Sequence, residues 1–471
     1  MAKRKTELIF VPGPGIGHIV SSLGMAERLL DHDDQLSVTV LVMKLPITPF
    51  SDTYAKSLTA SQPRIKLVSV PQPKFPPLDL LKKCPEYYIS TSTDNHIPQI
   101  KTILQDILST SISNSVQVAG LVLDFFCVTL VDVAKELGLN SYIFLTSSAG
   151  FLSLMRYISI RDEQDDSGFS KSDPDMLIPG FFNHIPNWVL PAGLLEKELG
   201  YPTYVKLATR FKEANGIMVN TFAELEPRLI ESFLGNQTPP VYPVGPVINL
   251  KGQPNPSLDQ AQWDKTMKWL DEQPESSVVF LCFGSNVGFG AEQVKEIAIG
   301  LEQSGHRFLW SMRVPPDSLC TSPEEMLPKG FLEKVDGRGM ICGWSNQVEV
   351  LAHKAIGGFV SHCGWNSTLE SLWHGVPIAT FPIYAEQQLN AFEMVKELGL
   401  AEELKLDYGT NCHLVSSVEI ERAVRSLIES ENDERKKLKE IKQVARKSVM
   451  EGGSSFIATI QFIKDVMTEN M

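Results

Sequence analysis

The stretch GGFVSHCGWNSTLESLWHG, residues 357–375, decides how the rest of the chain is read. GGFVSH has the make-up of a buried strand, and NSTLESLWHG that of a helix stopped by Gly375. The crossing between them leaves backbone N–H groups without strand partners, and His362, Asn366 and Ser367 add side-chain donors to the same short span. An anion, above all a diphosphate, satisfies such a set together. The alternative is a helix capped by Asn366 or Ser367, which needs no ligand but uses only one of these groups. Glu370 stands one turn beyond Asn366 on the same helix face, where a carboxylate can accept from two ribose hydroxyls or simply be solvated.

Outward from this stretch the same strand–turn–helix rhythm repeats. On its N-terminal side lie SVVFLCFGS, a helix about EQVKEIAIGLEQS, RFLWSMR and GMICGW; PIATFPI follows on its C-terminal side. An earlier series begins with ELIFVP and the helical HIVSSLGMAERLLDH, then LSVTVLVM, RIKLVSV, GLVLDFF, SYIFL and GIMVN. Such runs suit a parallel sheet covered on both faces, so the fold class is α/β. Residues 158–180 break the rhythm and read as a mobile surface loop, and the Pro- and Gly-rich stretch 237–262 contains the linker. The expected division is an N-terminal domain at 1–246, a linker at 247–262 and a C-terminal domain at 263–453, with a final helix at 454–471 able to cap either half. Two similar halves about a linker make a cleft the natural ligand site.

At the other end of the chain, Gly13-Pro14-Gly15-Ile16-Gly17-His18 turns the first strand into the first helix. A dinucleotide fingerprint would need an acidic residue after the second strand, where VLVMKLP stands, so a nicotinamide dehydrogenase is disfavoured. His18 at a helix start can stay neutral and accept a proton, or merely cap a turn. Asp124 ends the strand GLVLD; if buried it needs a partner, and an imidazole two strands away can supply one. Its other expected use is helix capping. Phe125 and Phe126 fit the wall of an aromatic acceptor pocket, or plain core.

Elsewhere, Ser285 in FGS repeats the strand-to-loop arrangement, Trp344 can stack on a flat base, and Glu386-Gln387 offer a carboxylate and an amide to a sugar. His and Cys residues show no tetrahedral spacing, so no metal is expected.

With 471 residues, 43% of them apolar, the chain exceeds one ordinary domain, and its formal charge of -13 argues against nucleic acid or an anionic membrane as a general partner. The seven cysteines read as buried thiols of a reducing compartment, hence a cytoplasmic protein. No segment reads as a signal peptide or a membrane span.

The run from Trp344 to Gln387, WSNQVEVLAHKAIGGFVSHCGWNSTLESLWHGVPIATFPIYAEQ, closely resembles the signature box of plant family 1 glycosyltransferases, which use UDP-sugars to glycosylate small molecules. PGIGH, Asp124, TSSA at 146–149, FGS at 283, LEQSGHRFLW at 301–310 and GGSS at 452–455 extend the resemblance along the chain. It implies the GT-B fold, two Rossmann-like α/β/α domains facing a cleft, with the last helix crossing back to the N-terminal domain. It implies that Trp344 stacks on uracil, with Gln347 near the uridine and Glu370 on the ribose. His362, Asn366, Ser367 and Ser285 would bind the diphosphate, Trp365 would line the sugar pocket, and Glu386 and Gln387 would contact glucose. His18 would be the general base, with Asp124 beside it. The implied reaction is inverting glucosyl transfer from UDP-glucose, as co-substrate, to a flavonoid or other phenol, without cofactor or metal and in a monomer. Ser345-Asn346 depart from the usual Ala-Pro or Cys-Pro of the box, which frees the backbone beside the uracil platform.

Overall fold

The computed structural model describes all residues except 1–4, 47–54, 58, 61, 114–115, 236–238, 253–258, 285–287, 316–321, 409–413, 430–432 and 469–471. The chain forms two compact units. One contains Met1–Asn187, Ala192–Asn249 and Lys447–Met471; the other contains Trp188–Pro191 and Leu250–Arg446.

In the first unit, β1 (Lys5–Val11), β2 (Leu36–Val42), β3 (Ile65–Ser69), β4 (Val116–Leu123), β5 (Ser141–Leu145), β6 (Gly216–Val219) and β7 (Val241–Pro243) form one sheet in the order β3-β2-β1-β4-β5-β6-β7. Every pairing is parallel. β5 is buried throughout, as a sheet covered on both faces requires. One core joins the sheet to the helix Ile16–His32 and to the last helix, Ser454–Thr468; another lies on residues of β1, β2 and β4 such as Ile9, Leu41 and Leu123.

That last helix returns to the first unit. Phe462 is fully buried, its ring 5.1 Å from Tyr142 and 5.4 Å from Tyr242, and the Tyr242 hydroxyl donates to Asp465 at 2.7 Å. Burial of such a ring contributes about 1.5–3 kcal/mol. The boundaries differ from the sequence expectation at three places. Val247 belongs to the first core, its N–H donating to Asn220 Oδ1 at 2.7 Å; the return begins at Lys447; and Trp188–Pro191 group with the second unit. Most of the linker's middle lies outside the described residues.

The expected loop at 158–180 is also shorter than its composition suggests. The helix Ala149–Gln164 extends into its first seven residues, with Ile158 fully buried while the charged residues at its end face out.

The second unit holds β8 (Val278–Cys282), β9 (Arg307–Ser311), β10 (Gly339–Cys342), β11 (Ile356–Ser361), β12 (Ile378–Thr380) and β13 (Ala401–Glu402) in the order β10-β9-β8-β11-β12-β13. These pairings are parallel too. In each sheet the strand order reverses at one place, β1/β4 in the first and β8/β11 in the second. Open parallel sheets leave a crevice there, beyond the C-terminal ends of the two strands.

Candidate active site

The first crevice holds His18 and Asp124. Asp124 sits one residue past β4 and continues the ladder, its N–H donating to Val11 O at 3.1 Å. His18 lies in the first turn of the helix that follows β1. The two strands are immediate neighbours, not two apart, and His18 Nδ1 lies 2.7 Å from Asp124 Oδ2. Asp124 is 1% exposed, and its Oδ1 accepts from Phe126 N–H at 3.1 Å. The carboxylate therefore caps the short helical segment Phe125–Leu130 with one oxygen and orients the imidazole with the other, so both expected uses hold together. An ionised carboxylate only accepts, which puts the ring proton on Nδ1 and leaves Nε2 as the basic nitrogen.

This pair has close backbone support. A Cβ on Gly13 would lie 2.4 Å from Asp124 Oδ1, so the turn must be bare to pass beside the carboxylate. The Thr146 hydroxyl lies 3.2 Å from His18 Nδ1; the sequence reading quotes it only within TSSA at 146–149, without a role. Its signal was positional: it is the polar residue that follows β5, the strand beside β4. The Phe126 ring stands 5.7 Å from the imidazole and is half-buried. Phe125 is 6% exposed, packed against Phe126, Phe151, Tyr204 and Phe211. Phe126 thus flanks the His18 imidazole, whereas Phe125 is core behind it.

The second crevice holds the crossing from β11. His362 is buried with its ring between two glycines: a Cβ on Gly284 would come 2.9 Å from Nε2, and one on Gly364 2.7 Å. Burial lowers its pKa to about 4, against a bond with the Cys282 backbone, so the ring is neutral. Cys363 then adopts a left-handed φ of 61°, held by its own N–H on Ser361 Oγ at 3.1 Å and by Asn390 Nδ2 on its carbonyl at 3.0 Å.

The helix that follows runs Trp365–His374, and its N-cap is Gly364, with no side-chain capping bond. Neither Asn366 nor Ser367 is the cap; both lie inside the first turn, at the positive end of the helix. The capping alternative therefore fails for lack of register.

One turn on, a side chain from another helix ties the site together. Gln347 begins the helix Gln347–Ala352, and its Nε2 donates at 2.7 Å to Ser367 Oγ and at 2.7 Å to Glu370 Oε2. Glu370 is pushed up to about 7 by burial, with the Gln347 bond acting the other way. Trp344 is half-buried just before this helix. Asn346 is the helix N-cap but makes no capping bond, donating instead to Glu349 at 3.1 Å.

Known proteins resemble this chain over almost all of its length. The family described as "UDP-glucoronosyl and UDP-glucosyl transferase" matches residues 181–444. UDP-glycosyltransferase 71K1 of Malus domestica is 52% identical, covering 99% of this chain and 100% of that protein. The flavonol 3-O-glucosyltransferase UGT71C4 of Arabidopsis thaliana is 50% identical, with 99% of each chain covered. The chain belongs to the plant family 1 UDP-glycosyltransferases. Among solved structures, Medicago truncatula UGT71G1 complexed with UDP-glucose superposes with a TM-score of 0.91 at 50% identity, covering 98% of both chains. The fold of this chain is GT-B, and it is a UDP-sugar-dependent glycosyltransferase.

Of the residues expected in the glycosyltransferase's donor site, Trp365 and Gln387 are among those buried and Ser285 is not among the described residues. Trp365, the first residue of its helix, is 2% exposed. Gln387 is 3% exposed, and its Oε1 accepts from the N–H groups of Ile383 at 3.0 Å and Tyr384 at 3.1 Å. That carbonyl shapes the turn, leaving only the amide end for a ligand. Ser285 lies outside the described residues, as do Cys320 and Cys412; the other five cysteines are buried and unpaired. Glu386 is half-buried just before the helix Gln387–Phe392. Among the described residues no helix is long and apolar enough to cross a membrane.

Proposed function

We propose that the chain transfers glucose from UDP-glucose to a hydroxyl of a small phenol, in the flavonoid class, with inversion to a β-O-glucoside. The observation that carries this reading is the 2.7 Å contact from His18 Nδ1 to Asp124 Oδ2, which supports Nε2 as the base. The acceptor O–H gives its proton to His18 Nε2 as its oxygen attacks the anomeric carbon. The bond from that carbon to the β-phosphate oxygen breaks, and UDP leaves with the electron pair. Asp124 stabilises the imidazolium. A single displacement inverts the α-linked donor, and a phenol suits it because its proton is removed more easily than an alcohol's.

Residues placed in the second unit supply the donor contacts of this reading. Trp344 stacks on uracil, Gln347 and Glu370 hold the ribose side, and the crossing at His362, Asn366 and Ser367 takes the diphosphate. Glu386 and the amide of Gln387 meet glucose, and Phe126 flanks the acceptor. Similarity to a flavonol 3-O-glucosyltransferase supports the acceptor class. The reaction is metal-free and the enzyme a cytoplasmic monomer, a compartment supported by the five buried, unpaired thiols.

The test is incubation with UDP-glucose and a phenol panel, with product mass and anomeric coupling read by NMR. A β-glucoside formed by the wild type and lost in His18→Ala, with EDTA without effect, is expected. An α-linked product or undiminished turnover in His18→Ala overturns the mechanism.

A further inference from the structure

We propose that Tyr408 is a positioning residue for the sugar-binding turn, and that it governs how the enzyme discriminates among UDP-sugars. The inference rests on the donor reading above, in which Glu386 meets glucose.

The residue before Glu386 is Ala385, which has a φ of 54°. Left-handed backbone is unfavourable for an alanine and persists only where neighbours hold it. Here the neighbours can be named. On one side, Gln387 Oε1 takes the N–H groups of Ile383 and Tyr384. On the other, the Tyr408 hydroxyl donates to Ala385 O. Tyr408 is itself anchored, its N–H donating at 3.2 Å to Oε1 of Gln388. Gln388 is 1% exposed and spends its amide on Leu190 O. Both ends of Gln388 are therefore fixed, and the phenol is delivered to one carbonyl of the strained turn.

Ala385 precedes Glu386, so the backbone at Ala385 sets where the Glu386 side chain leaves the turn and what its carboxylate can reach. Epimeric sugars differ only in where one hydroxyl points, so a carboxylate free to swing distinguishes them poorly. The nucleotide contacts depend on different bonds, Gln347 to Ser367 and Glu370, in which Tyr408 has no part. Loss of the phenolic hydroxyl should thus be felt by the sugar and not by the nucleotide.

The experiment compares Tyr408→Phe with wild type for UDP-glucose KM, UDP-galactose KM, UDP Kd and thermal midpoint. The phenyl ring is kept, so the fold should hold. The loss of one hydrogen bond predicts a rise of about three- to tenfold in UDP-glucose KM. The preference for one epimer should narrow, with UDP Kd and the midpoint unchanged. In an Ala385→Gly background the left-handed turn costs nothing, so the same substitution should change KM by less than about twofold. Equal losses for UDP and UDP-glucose, an unchanged KM, or an undiminished penalty in the Ala385→Gly background each overturn the role of Tyr408. A wild type that binds no UDP-sugar overturns the donor reading as well, and that outcome is recognisable before any variant is made.

Discussion

Asp124 Oδ2 lies 2.7 Å from His18 Nδ1, while Oδ1 of the same carboxylate accepts the Phe126 N–H at 3.1 Å. One buried side chain thus joins a structural cap to the orientation of an imidazole. Asp124→Asn separates the two. Asparagine caps as well as aspartate, so the thermal midpoint should stay within a few degrees of wild type. The imidazolium loses its counter-charge and the tautomer its guide, so kcat should fall by roughly 10²–10⁴-fold. Initial rates and a melting curve on the same preparation decide it; a large loss of stability with little loss of rate would make Asp124 a cap alone.

Gly13→Ala attacks the pair without touching either member. The new Cβ would arrive 2.4 Å from Asp124 Oδ1 and 3.3 Å from His18 Cγ, well inside contact distance. Carboxylate or turn must shift, and the hydrogen bond with it. The expected outcome is a fall in kcat of at least about tenfold, since small misplacements of a catalytic group are costly. UDP affinity should be unchanged, because every proposed nucleotide contact lies in the other unit. Titration calorimetry with UDP and steady-state rates make the comparison.

How far the sequence carries this picture depends on the kind of signal. The alternation of β1, β4, β8 and β11 with helices is legible because parallel strands buried on both faces must be apolar end to end. His18 and Asp124 are legible as polar residues at the ends of such strands. Their adjacency is not, since strand order is a long-range property, and the sequence reading sets them two strands apart. Side-chain networks are harder still. Nothing in the spacing of Gln347 and Glu370 says that an amide on one helix bridges a serine and a glutamate on another. The depth of Trp365 is a related case, as the box names it for a donor site while only the folded chain shows it to be 2% exposed. The bonding of Gln387 to its own turn is likewise invisible until the backbone at Ala385 is seen to be left-handed.

His362 makes the fold sensitive to acid. Its folded pKa is lowered to about 4 by burial, against an ordinary value of 6.5. Between these values the unfolded chain binds a proton that the folded chain refuses, so stability is full above pH 6.5 and is lost as pH falls toward 4. His374 is lowered to about 4 as well, by burial and then by Arg446 and Lys442, and adds to the same window. Denaturant midpoints measured from pH 7 to 4.5 should fall, and His362→Asn should flatten the slope. A profile unchanged by that substitution would mean that the ring is protonated in place.

Glu370 works in the opposite sense and bears on binding. Its pKa is raised to about 7, so near neutrality the carboxyl is divided between a charged form that accepts two hydroxyls and a neutral form that does not. In the unliganded protein the raised value means that ionising Glu370 opposes folding as pH climbs above 4.5, a cost offset when ribose hydroxyls donate to the charged form. UDP affinity should therefore strengthen as pH rises from 6 to 8, approaching tenfold per unit on the acid side and levelling off above the pKa. Gln347 donates to the same carboxylate and favours the charged form, so Gln347→Leu should move the midpoint of that curve to higher pH as well as weaken binding. Glu370→Gln should remove this dependence, leaving weaker binding that no longer follows pH through 7. Calorimetric Kd values for uridine, which carries no titrating phosphate, isolate the effect; a pH dependence that survives in Glu370→Gln would assign it to another group.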